Sequence, residues 1–132
     1  MAIPHVIEAG FQSLPSAWTE REELRSKGQF WTPPWLARIM TSWVTEKQPD
    51  TLFDPAVGPG TFFAAAREVG YTGHFDGFEL HEAAFLDGTR LGLTRDNFSR
   101  IEIGDFISSR LTHTFPAIIS NPPYIRHHRL SE

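Results

Sequence analysis

Cysteine is absent from the 132 residues, which excludes a disulfide framework and a thiolate metal site. Basic residues are outnumbered, 12 Lys and Arg against 16 Asp and Glu, for a formal net charge of -4. Such a surface offers a polyanion no uniform attraction, so any grip on nucleic acid must come from a local patch or a missing part. Long hydrophobic runs are also lacking. Met1 to Phe11 carries neither a basic leader nor an apolar stretch of signal-peptide length, and no segment approaches the ~20 apolar residues of a membrane span. The reading is cytoplasmic, without membrane contact. Internal repeats and low-complexity tracts are missing, and the six histidines show no ligand-like spacing, so no metal site is expected. What is present, 40% hydrophobic and 13% aromatic residues, suits one folded domain, since a chain of this size buries about two-thirds of its unfolded surface.

Met1 to Ser16, with Pro4 and Pro15, reads as an extended arm. Thr19 to Glu22 fits a capping box that opens a short helix over Glu20 to Lys27, closed by Gly28. Thr32 is placed to cap a second helix with Pro33 in its first turn, and Leu36, Ile39, Met40, Trp43 and Val44 form its apolar stripe. After Asp50 the pattern alternates strand and helix, the mark of βαβ units. Strands are expected over Thr51–Phe53, His74–Phe78, Arg100–Ile103 and Ala117–Ser120, and helices over Thr61–Val69 and His81–Leu91. The fold class is therefore α/β, an open doubly wound parallel sheet of about four strands behind an N-terminal helical segment.

Asp54-Pro55-Ala56-Val57-Gly58-Pro59-Gly60 lies between the first strand and the next helix, where ligands bind in parallel sheets. Gly58 and Gly60 allow a ligand close to the backbone. The loop lacks the third glycine of a dinucleotide site and the lysine of a P-loop. Its leading acid repels phosphate and favours a cationic ligand such as the amino group and sulfonium of S-adenosylmethionine. Glu79, at the second strand's tip, stands where an acid commonly accepts from ribose hydroxyls. Asp105 follows the third strand, placed to accept from an adenine amine while Phe106 packs on the ring. Each acid alone reads as a solvated loop carboxylate; together they outline a pocket for a nucleoside bearing an amino acid.

The fourth strand ends in Asn121-Pro122-Pro123-Tyr124, and the prolines stop it. Asn121 precedes a proline and is pushed toward extended backbone, so its side chain and the Pro122 carbonyl become fixed acceptors. Two such acceptors can grip one amine. An adenine amine is a poor nucleophile because its lone pair is delocalised, and preoriented oxygens stabilise the charge that develops there as a methyl group arrives. Tyr124 offers a stacking face for a base flipped out of a duplex.

The ordered series Gly28-Gln29-Phe30-Trp31-Thr32-Pro33-Pro34, Asp54 to Gly60, Glu79, Asp105 and Asn121 to Tyr124 resembles the S-adenosylmethionine-dependent adenine-N6 DNA methyltransferases of restriction–modification systems, in gamma-class order. The resemblance runs from about Gly28 to Arg129 and divides the chain into an arm with a short helix over 1–27 and a partial catalytic domain over 28–132. It implies that Phe30, Thr32 and Pro33 close over the cofactor's methionine end. Asp54, Pro55, Ala56, Gly58 and Gly60 would line the cofactor, Glu79 would bind ribose, Asp105 with Phe106 would bind adenine, and Asn121, Pro122, Pro123 and Tyr124 would bind the target base, Asn121 also bordering the cofactor.

Such enzymes have seven strands and a separate DNA-recognition region, so a fragment is expected, inactive alone. Its exposed fourth strand would pair with a companion chain or with itself. Two alternatives stand beside transfer to DNA adenine: another acceptor, either a protein glutamine or an RNA base, and a truncated interaction module without activity. The basic tail Arg126 to Arg129 suits either a phosphate contact or solvent.

Overall fold

The computed structural model describes residues 32–112 and 114–123; the short helix expected over 20–27 lies outside them. Helix α1 spans Pro34–Val44, β1 Thr51–Asp54, α2 Thr61–Glu68, β2 His74–Glu79, β3 Ile101–Ile103 and β4 Ala117–Ile118. The strands form one sheet in the order β3-β2-β1-β4, every pair parallel. This is the expected doubly wound arrangement, with β1 in the interior. Leu52 and Phe53 on β1 are both buried, as a parallel strand covered on two faces requires.

The register places Leu52 in one row with Phe75 and Ala117, on the face that packs against α1 and α2. Phe63 of α2 stacks on Phe75 with ring centroids 4.3 Å apart. Helix α2 is apolar nearly all round, and Phe62 to Ala66 are all buried because the helix is wedged between sheet and α1. The opposite face carries Phe53 and Phe78. Phe115 stacks on Phe53 at 3.9 Å, and Phe106 packs against both Phe53 and Phe78. A second, smaller aromatic core therefore comes from the stretch linking β3 to β4.

Several boundaries differ from expectation. Thr32 does not cap α1: the cap position is Pro33, Pro34 opens the helix, and Ala37 N donates to Pro33 O at 3.0 Å. Pro33 and Pro34 remove the two amide hydrogens nearest Thr32, and its hydroxyl oxygen accepts from Asn121 Nδ2 instead. The stripe on α1 is also rotated. Ala37 and Thr41 are buried, Met40 and Val44 lean on the core, and Ile39 and Trp43 are 60% and 80% exposed. Small residues win the interface because α2 presents alanines there and the helices can approach closely; Thr41 tolerates burial because its hydroxyl donates to Ala37 O at 2.8 Å.

The helix expected over His81–Leu91 is a 3₁₀ segment, Glu82–Leu91. Gly88 is a poor helix former in its middle, and the tighter winding ends with Leu91 and Leu93 against the core. The outer strands are shorter than expected, and among the described residues each pairs with a single strand. No helix among the described residues is long and apolar enough to cross a membrane.

Candidate cofactor and acceptor site

Parallel pairing puts all strand ends on one edge of the sheet. Asp54 closes β1, Glu79 closes β2, Asp105 follows β3, and Asn121 stands three residues past Ile118 of β4. Strand order converts that list into neighbours: Asp105, Glu79, Asp54 and Asn121 follow one another across the edge.

The Asp54–Gly60 loop is folded back onto β2. Val57 N donates to Phe78 O at 3.0 Å, Gly60 N to Val57 O at 3.1 Å, and Gly58 N to Glu79 Oε2 at 2.6 Å. Glu79 Oε1 accepts from His81 N at 3.0 Å, so the carboxylate is oriented by backbone amides on both oxygens. Gly60 enters α2 with φ of +86°, and a Cβ there would lie 2.5 Å from Leu93 Cδ1. Gly77 is required for another reason: a Cβ on it would collide with the Asp54 carbonyl and Val57. Without a side chain at 77, the loop can lie flat on β2.

Asp54 is 1% exposed, and its carboxyl is pushed up to about 7. Desolvation is the main cause, and the charge of Glu79 adds to it. Two contacts oppose the rise: Ala56 N donates to Asp54 Oδ1 at 2.9 Å, and the Ser120 hydroxyl lies close enough to pull the value down. That hydroxyl is buried and has no hydrogen bond of good geometry among the described residues. The edge thus concentrates acidic groups around a buried carboxyl that is partly protonated near neutrality, and whose ionised form a positive group would favour.

Asp105 is exposed, and its Oδ1 caps the following turn by accepting from Ile107 N at 3.1 Å. Phe106 is half-buried against Phe53 and Phe78, so part of its ring already serves the second core. Pro55, Ala56 and Gly58 are half-buried, and Gly60 is buried. Asn121, Pro122 and Pro123 are exposed beyond β4, and Asn121 Nδ2 donates to Thr32 Oγ1 at 3.1 Å. Pro33 stands beside that contact in the chain; Phe30 and Tyr124 lie outside the described residues. Sequence reasoning missed Ser120, Gly77 and the Thr32–Asn121 pair. Only the pair left a trace, for each partner is followed by two prolines.

The sequence model of the N-6 DNA methylase family matches residues 16–131. The chain belongs to that family. Among its relatives, the type II methyltransferase M.AccI of Acinetobacter calcoaceticus is 27% identical over 127 residues, covering 94% of this chain and 23% of that protein. M.HincII of Haemophilus influenzae is 29% identical over 107 residues, covering 81% of this chain and 19% of its own length. A 23S rRNA (uracil(747)-C(5))-methyltransferase, RlmC of Shewanella halifaxensis, is 32% identical over 107 residues, covering 76% and 28%. The chain spans about a fifth of the length of the type II methylases it matches. Membership in the methylase family agrees with the parallel sheet and with a site at its carboxyl edge, the place such sheets use for ligands.

Proposed function

We propose that residues 28–132 form the cofactor-binding part of an adenine-N6 DNA methylase, binding S-adenosylmethionine along the Asp105–Glu79–Asp54 edge and presenting Asn121 to the acceptor amine. The observation that carries the proposal is the succession of three acids and one amide on neighbouring parallel strands. The residues present fit the group. Asp54 is a buried carboxyl awaiting a positive partner, and Glu79 is held rigidly by two backbone amides at the position suited to ribose hydroxyls. Asp105 and Phe106 complete the adenine end, while Thr32 and Pro33, with Phe30 before them, close the methionine end.

When bound, the cofactor supplies an electrophilic methyl group on a sulfonium. The chain's own work is positional and electrostatic. Asn121 and the Pro122 carbonyl accept the two amine hydrogens, tilt the nitrogen toward tetrahedral geometry and stabilise the positive charge that develops there. Pro122 and Pro123 limit the backbone freedom of these acceptors. Tyr124 provides a face for the flipped base. The acidic balance of the chain gives DNA no uniform electrostatic grip, so base contact in this reading rests on the Asn121–Tyr124 element.

Calorimetric titration with S-adenosylmethionine tests the pocket. Wild type should bind, and Glu79→Ala and Asp54→Ala should each weaken binding by roughly ten-fold or more, the usual effect of losing a charged partner. Equal affinity in all three proteins removes the assignment. The RlmC likeness favours an RNA-base acceptor as a second reading. Labelled methyl transfer to matched DNA and RNA oligonucleotides separates the two.

A further inference from the structure

Thr32 and Asn121 are 89 positions apart, yet Asn121 Nδ2 donates to Thr32 Oγ1 at 3.1 Å. Each stands before a pair of prolines, Pro33-Pro34 and Pro122-Pro123. A threonine or asparagine at the start of a turn commonly bonds the amide hydrogen two residues on, and in both cases here that position is a proline. The prolines hold both backbones near extended geometry. The contact also joins the entry of α1, where Pro33 O receives the first helical bond from Ala37 N, to the end of β4.

We propose that Thr32 is a positioning residue for Asn121: by accepting from Nδ2 it selects one orientation of the carboxamide, the one that presents Oδ1, not the amino group, to the acceptor amine. This rests on the methylase reading given above. The two ends of an asparagine carboxamide are nearly equal in size but opposite in polarity, and a flipped amide would offer donors to an amine that also offers donors. Thr32 thereby decides acceptor chemistry without touching the acceptor.

The test uses the full chain and three variants, Thr32→Val, Thr32→Ser and Asn121→Asp, at saturating S-adenosylmethionine. Nuclear magnetic resonance identifies the Asn121 side-chain amide by its loss in Asn121→Asp, and fluorescence anisotropy measures binding of single-stranded deoxyoligonucleotides containing either adenine or guanine. Thr32→Val, which keeps shape and removes the oxygen, should shift the Asn121 amide signals and reduce the preference for adenine roughly five-fold, the scale of one hydrogen bond. Thr32→Ser should restore both. Unchanged Asn121 amide signals in Thr32→Val overturn the proposal, as does identical behaviour of the Val and Ser variants. A wild-type chain that binds both oligonucleotides equally counts against the methylase reading, and the amide signals then still decide whether Thr32 orients Asn121.

Discussion

Asp54 is held between opposing pulls, and the balance makes it sensitive to pH. Burial and Glu79 favour the protonated form, while Ala56 N and Ser120 favour the carboxylate. With a folded value of about 7 against 3.8 for the free group, the folded chain binds the extra proton between those limits. Stability linked to Asp54 is therefore complete below about pH 4 and is lost as pH rises through 7, on the order of 4 kcal/mol in all. Asp54→Asn keeps an oxygen for Ala56 N and removes the buried charge. Its melting temperature should exceed wild type at pH 8 and match it near pH 4; a constant difference across that range contradicts the account. A cationic ligand reverses the balance. Binding of S-adenosylmethionine should tighten as pH rises toward 7, releasing a proton on the acid side, and Asp54→Asn should show a flatter profile by calorimetry in buffers of different ionisation enthalpy.

Secondary-structure elements meet at two close approaches that side chains would spoil. The β1 loop lies on β2 because Gly77 has no Cβ, and α1 lies on α2 because Ala37 is small. Gly77→Ala drives a methyl into the Asp54 backbone and should lower stability by about 3 kcal/mol, with Ala37→Leu in the range of about 1–3 kcal/mol, as overpacked cores do. Trp43→Ala should stay within about 0.5 kcal/mol despite the larger change in volume, because the ring is 80% exposed. Urea denaturation ranks the three, and a large loss for Trp43→Ala contradicts the packing described here. The apolar spacing on α1 marks a helix correctly. It cannot select the face, because Ala37 and Thr41 carry little hydropathy and are buried for their size.

At the scale of the whole molecule, one sheet edge is β4. It pairs with β1 alone among the described residues, and Ile118 is 58% exposed on the same face as the Phe53–Phe115 stack. Unpaired edges with apolar side chains seek partners. Sedimentation velocity should show weight-average mass rising with concentration, and Ile118→Lys should suppress the rise; a monomer at every concentration dismisses self-association through this edge.

The alternation of strands and helices, the glycine loop between β1 and α2, and the acids at strand tips are legible in the sequence because each follows from local periodicity and turn chemistry. Parallel pairing then gathers Asp54, Glu79, Asp105 and Asn121 on one edge without further information. Tertiary structure alone decides that Glu79 receives Gly58 N across 21 positions, that Thr32 serves Asn121 instead of capping its helix, and that Asp54 holds a proton near neutrality. Partner choice and ionisation depend on which distant groups share a dehydrated space, and that is set by packing, not by any short stretch of residues.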